Sequence, residues 1–205
     1  FGGWMSGPRL AATGYFRAEK LGQKWALVDP EGYLYFASGI ANVRMANTST
    51  FTGVDFAAPT VRYKDPEDVT PEDSRGIVPS SAEARETRYI ASHERHKMFT
   101  WLPEYGDPLA KHFGYRRSAH KGPMPHGEVF SFYRANLERR YGKNAVAKWG
   151  DVTVDRMLDW GFTSLGNWID PAFYRKDRIP YFANGWIIGK FKTLSSGYWG
   201  AMPDP

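Results

Sequence analysis

The chain has 205 residues, a formal net charge of +5 and no cysteine. Its length suffices for one domain with a sizeable core, and the absence of cysteine excludes disulfides and thiolate metal sites. No apolar run approaches the length of a membrane-spanning helix, so no membrane partner is predicted. Aromatic residues make up 16% of the chain. They favour either a ring-rich core or a platform on which flat ligands, such as sugars or bases, can stack.

The first predicted element is a β-hairpin. Residues 15–19 and 24–28 are short strand-like runs, and Leu21-Gly22-Gln23 between them suits a turn. After a second turn, residues 34–40 are apolar nearly throughout, which is typical of a strand buried on both faces. Asn42 and Arg44 follow the end of this strand.

Residues 45–127 show little periodicity and are rich in Pro, Gly, Asp and Ser. Within them, a helix is predicted over residues 80–98, beginning at a Ser cap. Residues 98–105 are too aromatic for a disordered linker, and we expect them to fold back over a site. Basic residues outnumber acidic ones from Arg85 to Lys148 but form no stripe on a helix face. A solvated surface is therefore predicted there, with no nucleic-acid partner.

Two helices and a strand follow. The first helix is predicted from the apolar spacing of Phe130, Tyr133, Leu137 and Tyr141, and it ends at Gly142. Residues 144–149 form a further turn or two, and Thr153 caps a second helix that Gly161 ends. Residues 162–165 form a short buried strand.

Polar and aromatic residues follow that strand, where α/β folds place their sites. They are Asn167, Trp168 and Asp170. As a lone acid followed by Pro171, Asp170 is better explained as a helix cap than as half of a catalytic pair. A short helix over residues 171–178 and a strand at 181–183 or 186–188 come next, with Asn184 and Trp186 beside it. Residues 190–205 are predicted to be a loop.

The alternation of strands and helices predicts an α/β fold with a parallel sheet. Roughly 120 residues separate its first two strands, so a complete barrel of about 250 residues is excluded. No cofactor is predicted, because the sequence lacks a phosphate-binding loop, a dinucleotide fingerprint and a nucleophile elbow. His93 and His96 lack the spacing of a zinc protease and are interpreted as surface residues.

Several long motifs resemble the β-agarases of glycoside hydrolase family 50. They are Trp101-Leu102-Pro103-Glu104-Tyr105-Gly106-Asp107-Pro108-Leu109, Tyr198-Trp199-Gly200-Ala201-Met202-Pro203-Asp204-Pro205, and residues 14–17, 25–33, 130–139 and 160–168. The resemblance implies a (β/α)8 TIM barrel of clan A and retaining hydrolysis of the β-1,4 bonds of agarose by two Glu residues. Those Glu residues follow barrel strands 4 and 7 in that clan. The resemblance therefore implies that both lie beyond Pro205, and that this piece is inactive alone.

The implied organisation is a partial barrel of about three strands, preceded by a β-hairpin. Residues 1–36 are the amino-terminal segment and hairpin, and residues 37–205 begin the catalytic domain, with a long first insertion at 45–128. We expect a fragment of a secreted or periplasmic enzyme whose partner is agarose or an agaro-oligosaccharide. The alternative from another class is a non-catalytic carbohydrate-binding module, which the aromatic content favours.

The candidate substrate-binding residues stand near the carboxyl ends of the predicted strands. Amides and a guanidinium bind sugar hydroxyls, and indole faces stack on sugar rings, although each Trp can equally be rim packing. The candidates are Asn42, Arg44, Asn167, Trp168, Asn184 and Trp186.

Overall fold

The computed structural model describes residues 1–45, 48–62, 78–119 and 122–185, together with the backbone of residues 193–195 and 201–203. These residues form a mixed α/β structure of small sheets and a few helices. Within the same ranges, the sheets do not close into a barrel. None of the helices described is both long and apolar enough to span a bilayer.

The amino-terminal sheet contains β1 (Arg17–Leu21), β2 (Lys24–Val28) and β3 (Leu34–Tyr35), in that order and antiparallel. Leu21 pairs with Lys24, so Gly22 and Gln23 form a two-residue turn, and Gly22 has a φ of +59°. Such tight hairpin turns require a positive φ, which glycine adopts without strain. The predicted hairpin is confirmed, with its first strand beginning at Arg17 rather than Tyr15.

A short parallel pairing follows the hairpin. Strand β4 (Gly39–Ile40) pairs in parallel with β10 (Ser164–Leu165), and Leu165 forms a parallel bridge to Tyr181. The prediction of one buried strand over residues 34–40 is wrong, because Phe36 is 81% exposed. The chain leaves its antiparallel pairing with β2 at Tyr35 and enters the parallel pairing with β10 at Gly39.

The long insertion folds into two small antiparallel sheets. One orders β5 (Thr50–Phe51), β9 (Gly127–Phe130) and β8 (Phe113–Arg116), and the other pairs β6 (Val54–Phe56) with β7 (Arg88–Ile90). Single-turn 3-10 helices span Pro59–Arg62 and Pro108–His112.

The helix predicted over residues 80–98 is interrupted. Ser81 caps α1 (Ala82–Glu86), the chain becomes β7, and Ser92 caps α2 (His93–His96). Tyr and Ile favour strands, and pairing with β6 stabilises that conformation here.

Two longer helices connect the insertion to β10. Helix α3 (Phe132–Tyr141) begins after Ser131, whose side chain accepts a hydrogen bond from the Arg134 N–H. Gly142 ends it, as predicted, whereas Phe130 belongs to β9. Helix α4 (Ala145–Asp159) follows a 3-10 turn at Gly142–Asn144 and runs through Thr153 without a break, so the predicted cap at Thr153 is wrong.

A hydrophobic core lies between α4 and the parallel strands. Gly161, with a φ of +80°, ends α4 as predicted and leads into β10. Val154, Met157 and Leu165 are almost fully buried there. The full cluster is Met45, Trp149, Val154, Met157, Leu165, Ile169, Phe173 and Ile179.

The carboxyl-terminal predictions are corrected in two places. The helix predicted over residues 171–178 is only a 3-10 turn at Pro171–Phe173, and Asp170 caps it by accepting a 3.0 Å hydrogen bond from the Ala172 N–H. The loop predicted over residues 190–205 contains an antiparallel pair, β11 (Thr193–Ser195) with β12 (Ala201–Pro203). Near residue 184, a strand was predicted at residues 181–183 or at residues 186–188. In the first range, Tyr181 pairs only through an isolated bridge to Leu165. The second range lies outside the described residues.

Candidate functional site

The loops that follow β4 and β10 are joined by backbone hydrogen bonds. The Asn42 N–H donates to the Asn167 carbonyl at 2.7 Å, and the Asp170 N–H donates to the Val43 carbonyl at 2.9 Å. Close approach is possible because Gly166 lacks a side chain: a Cβ there would stand 2.8 Å from the Ala41 backbone. Asn42 and Asn167 therefore lie side by side at the carboxyl ends of neighbouring parallel strands.

A second contact extends the site to the third parallel segment. The Trp168 N–H donates a hydrogen bond of 2.6 Å to Oδ1 of Asn184, which follows Tyr181 in the chain. Four of the predicted residues are thus brought together, and we call them the strand-end wall: Asn42, Asn167, Trp168 and Asn184.

The backbone of the strand-end wall is unusual at two positions. Asn42 has a φ of +62° and Trp168 a φ of +55°. Asn tolerates this left-handed conformation, but for a bulky residue such as Trp it is strained. Strain of this kind is found preferentially at functional sites, where the surrounding structure holds it in place. The backbone of Trp168 is held by the hydrogen bond to Asn184, and the residue is 45% exposed.

The remaining two predicted residues have different outcomes. Arg44 is partly buried, and no residue in the described part of the chain accepts a hydrogen bond from its Nε. Trp186 lies outside the described residues.

The insertion contains a buried carboxylate that was not among the residues predicted from the sequence. Glu128, on β9, is 2% exposed. Its Oε1 accepts a hydrogen bond from Thr52 Oγ1 at 2.8 Å, and its Oε2 accepts one from the Tyr105 hydroxyl at 2.5 Å. Burial raises the pKa of Glu128, and burial together with the bond to Glu128 raises the pKa of Tyr105. The only signal in the sequence is a carboxylate within an apolar strand.

A second buried carboxylate, Asp55 on β6, was also missed. It accepts hydrogen bonds from the hydroxyls of Tyr115, at 2.8 Å, and Tyr89, at 3.1 Å. His126 Nδ1 stands 2.9 Å from its Oδ2. These bonds join β6, β7 and β8 and satisfy a polar group that would otherwise be costly to bury.

The two histidines of α2 lie in different environments. His96 Nδ1 lies 3.2 Å from the Thr52 carbonyl, and His93 is exposed. Within the described ranges, no three His, Asp or Glu side chains are grouped as metal ligands.

The chain is similar to known β-agarases in both sequence and fold. No family model matches the chain. Beta-agarase B of Vibrio sp. (strain JT0107) is 46% identical over the whole chain, and Beta-agarase A of the same strain is 38% identical over 88% of it. The chain spans only 20% and 15% of the lengths of these two relatives.

Three solved structures are also similar. An exo-β-agarase superimposes with a TM-score of 0.88 at 59% identity, over 98% of this chain and 28% of that one. PfGH50B matches with a TM-score of 0.80 at 54% identity, and the agarase AgWH50C with 0.72 at 50%. Those two matches cover 98% and 99% of this chain, and 27% and 26% of the solved chains.

Proposed function

The chain corresponds to part of the β-agarases of glycoside hydrolase family 50, as its motifs predicted, and from this premise we propose that it contributes a substrate-binding wall to such an enzyme. The substrate is agarose or an agaro-oligosaccharide. The observation that carries the proposal is the convergence of three successive parallel segments on the strand-end wall.

We assign this piece to the first part of a (β/α)8 catalytic barrel. The parallel register of β4 with β10, and of Leu165 with Tyr181, supports three successive barrel strands. Helix α4 packs against β10 as a crossover helix does. Residues 1–36 then lead into the barrel, and residues 45–128 are an insertion after its first strand.

The strand-end wall supplies the groups that sugar recognition needs. Asn42, Asn167 and Asn184 carry amides that donate and accept hydrogen bonds, and Trp168 offers an exposed indole for stacking on a sugar ring. Arg44 and Trp186 complete the proposed set.

The bond-breaking step is assigned to two Glu residues outside this chain, acting by retention. The two buried carboxylates described above are occupied: Glu128 and Asp55 each accept hydrogen bonds from tyrosine hydroxyls. We assign neither to catalysis. A polysaccharide too large to cross a membrane must be degraded outside the cytoplasm, so we propose a secreted or periplasmic enzyme.

Two measurements on the purified chain test the proposal. It should release no reducing sugar from agarose, yet its migration should be retarded in an agarose-containing gel. Trp168→Ala should weaken the retardation, whereas Trp160→Ala should not. Trp160 is the matched control, because it is exposed at the opposite end of β10.

Rapid hydrolysis by the chain alone would refute the placement of both catalytic carboxylates outside it. Equal retardation of the two variants would refute the strand-end wall. The Trp168→Ala substitution can also be made in a longer chain that includes the two proposed catalytic Glu residues. If the 205-residue chain is retarded but the activity of that longer chain is unchanged by the substitution, the carbohydrate-binding module is favoured.

A further inference from the structure

A cavity of about 410 Å³ opens in the insertion, between residues 99–105 and strands β8 and β9. Its size falls within the range of ligand pockets, about 300–1,000 Å³. Its lining includes Arg88, His96, Trp101, Glu104 and Glu128. No residue of the strand-end wall is among the described residues that line it.

One wall of the cavity is a fixed polar surface. Thr52 and Tyr105 hold the Glu128 carboxylate, and the guanidinium carbons of Arg85 and Arg88 stand 4.9 Å and 5.5 Å from the centre of the Tyr105 ring. A buried ionisable group that lines an open cavity is more typical of a binding site than of a packed core.

A second feature of the cavity is the indole of Trp101, which neighbouring side chains hold in place. The guanidinium of Arg139, from α3, lies 4.8 Å from the centre of the Trp101 ring, and Phe130 meets the ring edge-on at 6.2 Å. Trp101 nevertheless remains 42% exposed. A ring fixed before the ligand arrives loses little conformational entropy on binding.

The charges of the lining select the class of ligand. Arg88 offers N–H donors to the cavity and Glu104 offers carboxylate acceptors, so the lining carries both kinds of hydrogen-bonding group. An anionic ligand would meet the Glu104 carboxylate, and a purely apolar one would leave Arg88 and Glu104 without the hydrogen bonds that they make to water. A neutral ring with many hydroxyls satisfies both the polar groups and the indole.

We propose that this cavity binds a neutral oligosaccharide, with one sugar ring on Trp101 and its hydroxyls bonded to Arg88 and Glu104. The proposal goes beyond the strand-end wall, because it assigns a sugar-binding role to residues of the insertion. The two sites carry different tryptophans, so each can succeed or fail separately.

The test is fluorine NMR of the full 205-residue chain labelled with 5-fluorotryptophan. The chain has eight Trp, and Trp→Phe variants assign the resonances of Trp101, Trp160 and Trp168. On titration with a hexasaccharide prepared from agarose, the Trp101 resonance should shift in a saturable way while that of Trp160 stays in place. A Trp101 resonance that does not move overturns the proposal, whatever Trp168 does.

Variants test the assigned contacts. Trp101→Ala should weaken hexasaccharide binding to this cavity about tenfold. Because this variant lacks the Trp101 resonance, binding is followed by the fluorine signal of an added Phe99→Trp substitution labelled with 5-fluorotryptophan. Glu104→Gln should weaken it several-fold, whereas Glu86→Gln, an exposed residue outside the lining, should not. Equal affinities for Glu104→Gln and Glu86→Gln would overturn the assigned contact.

The ligand class has its own control. A sulfated galactan hexasaccharide should bind more weakly than the neutral one, because the exposed Glu104 carboxylate repels it. Tighter binding of the sulfated chain, falling steeply with added salt, would identify an anion site and overturn the neutral class.

Discussion

The backbone N–H of Trp168 donates a 2.6 Å hydrogen bond to Oδ1 of Asn184, sixteen residues further along the chain. A side chain that follows the third parallel segment thereby fixes the residue that follows the second. The orientation of the exposed indole depends on this bond, because Trp168 has a backbone conformation that it would not adopt unaided.

We expect Asn184→Ala to weaken the retardation of the chain in agarose, even though the indole itself is unchanged. Loss of this bond should also lower the free energy of unfolding by about 1 kcal/mol. Affinity electrophoresis and urea unfolding measure the two effects. Asn144→Ala is the control, since the Asn144 side chain makes no capping bond. Indistinguishable results for the two variants would show that the bond does not orient Trp168.

The positive φ of Trp168 predicts an inverted order of stability for two substitutions. Trp168→Gly and Trp168→Ala both remove the indole, but only glycine adopts this conformation without strain. The Gly variant should therefore be the more stable by about 1 kcal/mol in urea unfolding.

The same pair of substitutions at Trp160 is the control, because Trp160 has a φ of −81°. There, Ala should be the more stable, since glycine loses more backbone entropy on folding. The same order at both positions would contradict the strained conformation of Trp168.

Glu128 predicts a pH dependence of stability. Burial raises its pKa in the folded chain above the ordinary value of 4.5, so the folded state binds the proton more tightly than the unfolded state. This stabilisation is complete below the unfolded-state pKa and is lost as the pH rises through the folded-state pKa. We expect the free energy of unfolding to fall, relative to Glu128→Gln, as the pH is raised from about 4.

Glu138 provides a control of opposite sign. The hydrogen bond from Lys111, at 2.7 Å, lowers the pKa of Glu138. Its contribution is present above the unfolded-state pKa and is lost as the pH falls through the folded-state pKa. The destabilisation of Glu138→Gln should therefore shrink towards acid pH. A parallel pH dependence for the two variants would contradict the assigned environments.

Gly39 predicts a large steric effect at the parallel pairing. A Cβ at this position would lie 2.1 Å from the Ser164 carbonyl oxygen, so Gly39→Ala must separate β4 from β10. We expect a loss of about 3 kcal/mol in the free energy of unfolding. Gly106→Ala is the control, because a Cβ there meets nothing within 4 Å. Equal stability of the two variants would exclude close packing of β4 on β10.

Local chemistry made the hairpin, the end of α4 and the Asp170 cap predictable. Gly22 and Gly161 have the positive φ values that turns and helix ends require, and Asp170 before Pro171 is a strong capping sequence. The parallel strands were predictable in position but not in length. Ile40 and Phe36 are exposed although both are apolar, and the hydropathy pattern alone cannot show this.

Long-range pairing determines what the sequence did not reveal. Tyr89 and Ile90 lie in a strand only because β6 is available to pair with them. Glu128 is buried only because Thr52 and Tyr105, distant along the chain, satisfy its oxygens. Thr153 has the chemistry of a cap, but the apolar face formed by Trp149 and Val154 keeps the helix continuous around it.

The Thr163 side chain links the residues just before β10 to those just before β4, which lie on the other side of the insertion, and this affects the order of folding during synthesis. Its Oγ1 donates to the Phe36 carbonyl and accepts from the Ser38 N–H, 125 residues earlier in the chain. At about 5–20 residues per second, a ribosome needs about 6–25 s to synthesise that interval. Until then β4 has no parallel partner, whereas the β1–β2 hairpin can form at once. The whole insertion is therefore synthesised before β4, the strand that precedes it, can pair with β10.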